Sequence, residues 1–165
     1  QGGQGLCGQA CQHPALRQRP VQVNEQIGLG GMLKRKVRHL LGRGLAERLV
    51  PGDPLLLERL MSNLVSNAIA YNHPGGWVEV VVAGEPAITV SNTGQSVPAE
   101  MVSSLFEPFR RLTADRIDHS GGSGLGLPIV RSIATAHTGT VQARPRAGGG
   151  LIVAISLPKC SLPQG

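Results

Sequence analysis

Aromatic residues are nearly absent: Tyr71, Trp77, Phe106 and Phe109 are the only four in 165 residues. So few rings exclude a fold that reads nucleic acid by stacking bases on aromatic platforms. Long apolar runs are missing as well. No stretch reaches the ~18 apolar residues of a membrane span, and no basic, apolar and small-residue succession opens the chain as in a signal peptide. Cysteine is scarce. Cys7, Cys11 and Cys160 make no even disulfide set, which predicts a reducing, cytoplasmic setting. Cys7, Cys11 and His13 lack a fourth ligand at zinc-site spacing. Acidic residues are sparse in one region only. Residues 1–50 carry eight Lys/Arg against Glu25 and Glu47, while the rest of the chain balances eight against eight. The whole net charge of +6 therefore lies in the first third.

Glycine is what the chain has in excess, 23 residues, about twice the ordinary share. A composition break near Pro51 separates two parts. Residues 1–48 read as a basic, Gln/Gly-rich and partly disordered segment, with one short basic helix predicted over 32–41. Its charges read as a solvated face rather than a nucleic-acid contact, because no recognition motif accompanies them. Residues 49–158 read as one folded domain, and 159–165 as a tail.

Within that domain Asp53 is a good N-cap and Pro54 suits the first helical position, so a helix is predicted through Tyr71. Leu57, Leu60, Leu64 and Ala68 form its buried stripe, while Asn63, Asn67, Ala70 and Tyr71 share another face. Asparagines on a partly apolar face are costly to bury without partners. Trp77–Val82 and 87–91 read as a β-hairpin, and 98–105 as a short helix. The polar stretch 106–121, with Arg110, Arg111 and Arg116, reads as a long mobile loop of the kind that carries function. Gly-Ser-Gly-Leu-Gly at 122–126 then leads into a helix ending near His137, and strands 140–143 and 151–157 close the domain. A glycine-rich turn entering a helix offers backbone N–H groups to phosphate. It matches neither a P-loop nor a dinucleotide fingerprint, so by itself it is equally a tight structural turn. The neighbouring arginines favour phosphate. His137, at a helix end, reads as a cap of carbonyls rather than a catalyst.

Taken together, LERLMSNLVSNAIAYN, VSNTGQSVP, LFEPFRRL, GGSGLGLPIVRSIATAH and GGGLIVAISLP resemble the N box, first glycine box, F box, second glycine box and closing glycine-strand segment of the GHKL ATP-binding superfamily. The F box, and Asn63 where the hydrolases of that superfamily carry Glu, resemble the ATP-binding domain of sensor histidine kinases of the actinobacterial style. The resemblance spans about residues 49–158. It implies an α/β two-layer sandwich, a mixed sheet of about five strands covered by three helices, with a mobile ATP lid. It also implies ATP and Mg²⁺ as cofactors, with Asn67 on the metal and Asn63 one turn away. Tyr71 packs by the adenine, Asn92 bonds its amino group, and Gly94 and Ser96 shape the approach to the base. Arg111 and Arg116 reach the phosphates from the lid, which Phe106 and Phe109 anchor. Gly122, Gly124 and Gly126 shape the turn whose amides, with those of Leu125 and Leu127, meet the phosphates.

The chain departs from the family pattern at Asn92 (usually Asp), Ser96 (Gly), Ala70 (often Lys or Arg) and Thr138 (Gly). None of its histidines, His13, His39, His73, His119 and His137, sits in a phosphoacceptor box. The expected activity is therefore phosphotransfer in trans, to a histidine on a separate dimerising phosphoacceptor protein and indirectly to a response regulator. The alternatives are a nucleotide-binding pseudokinase, an anti-sigma-type serine kinase, and a basic nucleic-acid-binding protein. Asn63 and the F box weigh against the serine kinase.

Overall fold

The computed structural model describes residues 20–22, 37–43, 49–82, 84–110 and 124–159. Among the described residues, seven strands and two α-helices follow one another: β1 (Pro20–Gln22), β2 (Val37–Arg43), β3 (Leu49–Pro51), α1 (Pro54–Ala70), β4 (Gly76–Val82), β5 (Ile88–Asn92), α2 (Gly126–Ala136), β6 (Thr140–Pro145) and β7 (Leu151–Ser156). β1 and β3 form a small antiparallel pair, and the main sheet has the order β2-β4-β5-β7-β6. Among the described strands of this sheet β2 alone runs parallel to its neighbour, and the other pairs are antiparallel. The result is an α/β two-layer sandwich.

Strict alternation builds the core. β4 buries Val78, Val80 and Val82, β5 buries Ile88 and Val90, and β7 buries Leu151, Val153 and Ile155. Their register forms three rows: Val82–Ile88–Ile155, Val80–Val90–Val153, and Val78–Asn92–Leu151. Eight of these nine positions are apolar. The ninth, Asn92, is 5% exposed and stands at one end of the sheet, a polar side chain at a core-facing position.

α1 starts as its sequence dictates. The Asp53 side chain accepts from the N–H groups of Leu55 (2.8 Å) and Leu56 (3.2 Å), and Pro54 occupies the first turn. Such a cap contributes about 1 kcal/mol. The helix buries Leu57, Leu60, Met61, Leu64, Val65 and Ala68, and packs on α2 and β5. Half-buried Asn63, Asn67 and Ala70 line another face. His137 ties the two helices together. It is 7% exposed, pairs through Nδ1 with the Ile133 carbonyl at 2.8 Å, and accepts at Nε2 from the Asp53 N–H at 3.1 Å. The first contact is the carbonyl cap expected of it.

Two expectations are corrected. The basic helix expected over 32–41 is a strand from Val37 onward, where the described residues cover it; β4 offers an unpaired backbone edge there, and pairing satisfies both strands. Residues 32–36 lie outside the described residues. The third helix, expected over 98–105, is two 3-10 turns, Ala99–Met101 and Ser103–Phe106. The Ser104 hydroxyl donates to the Met101 carbonyl at 2.8 Å, competing with a regular helix, and Pro108 stops continuation. Among the described residues no helix is long and apolar enough to cross a membrane.

Thr138, which follows the C-cap of α2 where the related motif has glycine, sits at φ 55. A β-branched residue is strained in that left-handed region, and its side chain is exposed. Thr138→Gly is expected to raise stability by about 1 kcal/mol, the relieved strain outweighing the added freedom of the unfolded chain. A urea midpoint unchanged or lowered at constant slope is the opposite result.

Candidate functional site

Two groups of predicted residues come together along α1. The first lies where α2 begins. A Cβ placed on Gly126 would lie 3.9 Å from Asn63 Oδ1 and 3.9 Å from Asn67 Oδ1, so both carboxamide oxygens face the first turn of α2. Leu125, the N-cap of α2, supplies no side-chain cap hydrogen bond, and the first turn contains no acidic residue. That turn therefore presents its N–H groups and the positive end of the helix dipole beside two neutral oxygen donors. Asn63 also donates through Nδ2 to the Arg59 carbonyl at 2.7 Å, which fixes its orientation. The Asn67 side chain has no hydrogen-bond partner among the described residues.

The second group is built on the sheet end. Asn92 donates through Nδ2 to the Thr93 carbonyl at 2.8 Å, which leaves its Oδ1 as an acceptor. Asp could not make that bond, so the departure to Asn suits the local carbonyl. At Gly94 a Cβ would run into the Tyr71 carbonyl and lie 3.4 Å from Asn92 Nδ2. Only glycine lets the chain pass this close to the C-cap of α1. The Tyr71 ring is 40% exposed beside this passage. Asn67 and Tyr71 are four residues apart, about 6 Å along the helix axis, so the two groups adjoin.

Residues outside the predicted set hold the second group in place. Thr93 Oγ1 accepts from the Trp77 N–H at 2.8 Å and donates to Asn72 Oδ1 at 2.7 Å; Asn72 Nδ2 in turn donates to the Trp77 carbonyl at 2.9 Å. Behind the Asn92–Gln95 turn run Gly148, Gly149 and Gly150, all at positive φ. A Cβ on Gly149 would overlap the Gly94 carbonyl, and one on Gly150 the Asn92 carbonyl. Three consecutive glycines before an alternating strand were the available signal for such a close approach.

The other predicted residues divide. Gly124, at φ 71, accepts at its carbonyl from the Phe109 N–H at 3.1 Å. Leu127 turns its side chain into the core, 5% exposed, leaving only its backbone to the site. Ser96 is exposed at the end of the turn. Phe106 is buried beneath Arg131, which donates to its carbonyl at 2.9 Å. Phe109, the other residue expected to anchor the lid, is 75% exposed and makes its contact with Gly124 through its backbone. Arg111, Arg116 and Gly122 lie outside the described residues.

These features define a GHKL-type nucleotide fold, and comparison with known proteins agrees. The profile of the Histidine kinase-, DNA gyrase B-, and HSP90-like ATPase family matches residues 52–161. The chain is 51% identical over 121 residues to the sensor protein CutS of Streptomyces coelicolor, covering 70% of this chain and 29% of CutS. It is 41% identical over 112 residues to the sensor histidine kinase CusS of Escherichia coli K12, covering 66% of this chain and 23% of CusS. It thus spans less than a third of those relatives' length. A solved structure of the mycobacterial sensor histidine kinase MprB superposes with a TM-score of 0.63 at 28% identity, covering 75% of this chain and 84% of that one. The chain belongs to this ATPase family, with the ATP-binding domain of the sensor histidine kinases.

Proposed function

We propose that the chain holds Mg²⁺·ATP between α1, the Asn92–Gln95 turn and the first turn of α2, and donates the γ-phosphoryl to a histidine on a separate phosphoacceptor protein. The observation that carries this reading is the convergence of Asn63 Oδ1 and Asn67 Oδ1 on Gly126 at the uncapped start of α2. The residues fit a metal that arrives with its nucleotide. Among the described residues no cluster of three or more His, Cys, Asp or Glu forms an all-protein cage, and Mg²⁺ is ordinarily held by one or two protein oxygens plus phosphates and water. Asn67 would supply the protein oxygen, and Mg²⁺ would neutralise charge developing on the phosphates.

The remaining roles are those that the family resemblance implies. Asn92 Oδ1 accepts from the adenine amino group, Gly94 and Ser96 border the base, and Tyr71 packs beside it. Gly124, Leu125, Gly126 and Leu127, with Gly122 two residues before them in sequence, are assigned the backbone N–H groups that meet the phosphates. Arg111 and Arg116, adjoining them in sequence, stabilise charge as the imidazole nitrogen bonds to phosphorus and the bond to the ADP oxygen breaks. Residues 49–158 form the working unit.

The histidine that accepts the phosphoryl is proposed to lie outside these 165 residues. His137 is committed to Ile133 and Asp53, and none of the five stands in a phosphoacceptor box. The names of the relatives, sensor proteins and sensor kinases, support a place in two-component signalling, with a response regulator downstream. Calorimetry is expected to give a Kd for Mg²⁺·ATP between about 1 μM and 1 mM, roughly −8 to −4 kcal/mol. Labelled ATP is expected to mark an added phosphoacceptor chain with acid-labile, base-stable label, and not to mark this chain alone. No binding at millimolar nucleotide overturns the reading. Binding without transfer to any histidine chain turns it into nucleotide sensing.

A further inference from the structure

We propose that Arg146 is a positioning residue that sets the preference of this site for adenine over guanine. The proposal rests on the reading that the Asn92–Gln95 turn receives the base. Arg146 follows β6 and makes two side-chain contacts. Its guanidinium lies 4.7 Å from the ring centroid of Trp77, and its Nη1 donates to the Gly149 carbonyl at 3.1 Å. Backbone bonds close the same turn: the Arg146 N–H donates to Gly150 and the Gly149 N–H to Arg146, each at 3.1 Å.

The turn so fixed is the wall behind the base-binding loop. Gly149 stands against the Gly94 carbonyl, and the Gly150 N–H donates to the Gln95 carbonyl at 3.0 Å. Trp77 also holds the loop, through two bonds with Thr93: the Trp77 N–H donates to the Thr93 side-chain Oγ1, and the Thr93 N–H donates to the Trp77 carbonyl at 3.1 Å. One residue thus touches both supports, through its ring at Arg146 and its backbone at Thr93. By the alternation of β4, Trp77 lies on the face opposite Val78, and Val78 pairs with Asn92. The Arg146–Trp77 stack therefore braces the loop from the outer face of the sheet, away from the nucleotide.

The chemical consequence concerns Asn92. Its Oδ1 meets a donor in the 6-amino group of adenine and an acceptor in the 6-oxo group of guanine. Discrimination requires that this oxygen hold its place, and a loop free to shift relaxes it. A hydrogen bond gained or lost with a neutral partner corresponds to about a tenfold change in affinity.

The test compares Kd values of the parent, Arg146→Ala and Arg146→Lys for Mg²⁺·ATP, Mg²⁺·ADP and Mg²⁺·GTP by calorimetry, with urea unfolding to confirm the fold. Arg146→Ala is expected to raise the Kd for ATP and ADP by the same factor, about five- to tenfold, and to leave GTP unchanged. Arg146→Lys keeps a cation over Trp77 and a donor toward Gly149, and is expected to retain most of the preference. Should the alanine variant fail to fold, the ATP-to-GTP ratio of Arg146→Lys against Arg146→Gln decides, with Gln expected to lose preference and Lys to keep it. Lowered stability with an unchanged ATP-to-GTP ratio overturns the proposal and leaves the nucleotide reading standing. Failure of the parent to bind ATP overturns both.

Discussion

Asn67→Ala is expected to cut phosphotransfer by about 10²–10³-fold, the range seen when one preorganised transition-state donor is removed. The expectation follows from where the side chain sits and what it lacks. Asn67 is half-buried on the face of α1 that looks onto Gly126, and among the described residues its carboxamide bonds to nothing. A half-buried oxygen without a partner is available for a ligand. Truncation spares Leu57, Leu60 and Leu64, which belong to the buried stripe, and alanine is the best helix former. The variant should therefore keep its urea midpoint within about 0.5 kcal/mol of the parent, the usual result for a change away from the core. Neighbouring Asn63 provides the contrast. Its Nδ2 is already bound to the Arg59 carbonyl, so Asn63→Ala also loses a local hydrogen bond, and its loss of transfer should come with a small loss of helix stability. Mg²⁺-dependent ATP binding by Asn67→Ala equal to that of the parent would falsify the metal assignment.

How much of this was legible beforehand depended on whether the signal was local. The start of α1 was fully readable because capping is a contact between neighbours: Asp53 meets Leu55 and Leu56, and Pro54 has no N–H to leave unsatisfied. The Asn63–Asn67–Tyr71 stripe was readable because helical periodicity alone fixes which residues share a face. β2 was not readable. Val37, Leu40 and Leu41 fit a helical face as well as a strand, and the choice is made by the open edge of β4, more than thirty residues away. The 3-10 turns at 99–106 failed for a milder reason, since Ser104 exchanges a regular helical pattern for its own bond to Met101.

The supports of the site were the least legible part. Thr93 was given no role by its sequence position between Asn92 and Gly94, and its hydroxyl joins Asn72 at the end of α1 to Trp77 at the start of β4. Those partners are 21 and 16 residues away, and hydroxyls give no periodic signal of their own. Glycines at 148–150 read only as part of a glycine-strand segment, not as a place where backbone lies on backbone.

That backbone contact sets the second large expectation: Gly150→Ala should destabilise the protein by about 4 kcal/mol, combining backbone strain of about 1–3 with overpacking of about 1–3. Gly150 has φ 99, outside the range that L side chains adopt, and its Cβ would overlap the Asn92 carbonyl, a backbone atom with no rotamer to yield. The neighbouring pair Asn92–Leu151 joins β5 to β7, so relief requires parting two central strands at the site end of the sheet. Such a loss is a large share of the roughly 5–15 kcal/mol that holds a domain folded. The surviving folded fraction should also bind ATP more weakly, because the displaced strand carries Asn92 with it. Gly84→Ala is the matched control. A Cβ there meets nothing within 4 Å and its φ is not in the left-handed region, so the change should fall within about 0.5 kcal/mol of neutral. Urea midpoints compared at constant slope decide the matter, and a Gly150→Ala loss no larger than that of Gly84→Ala would mean that the 148–150 turn stands free of the Asn92–Gln95 loop.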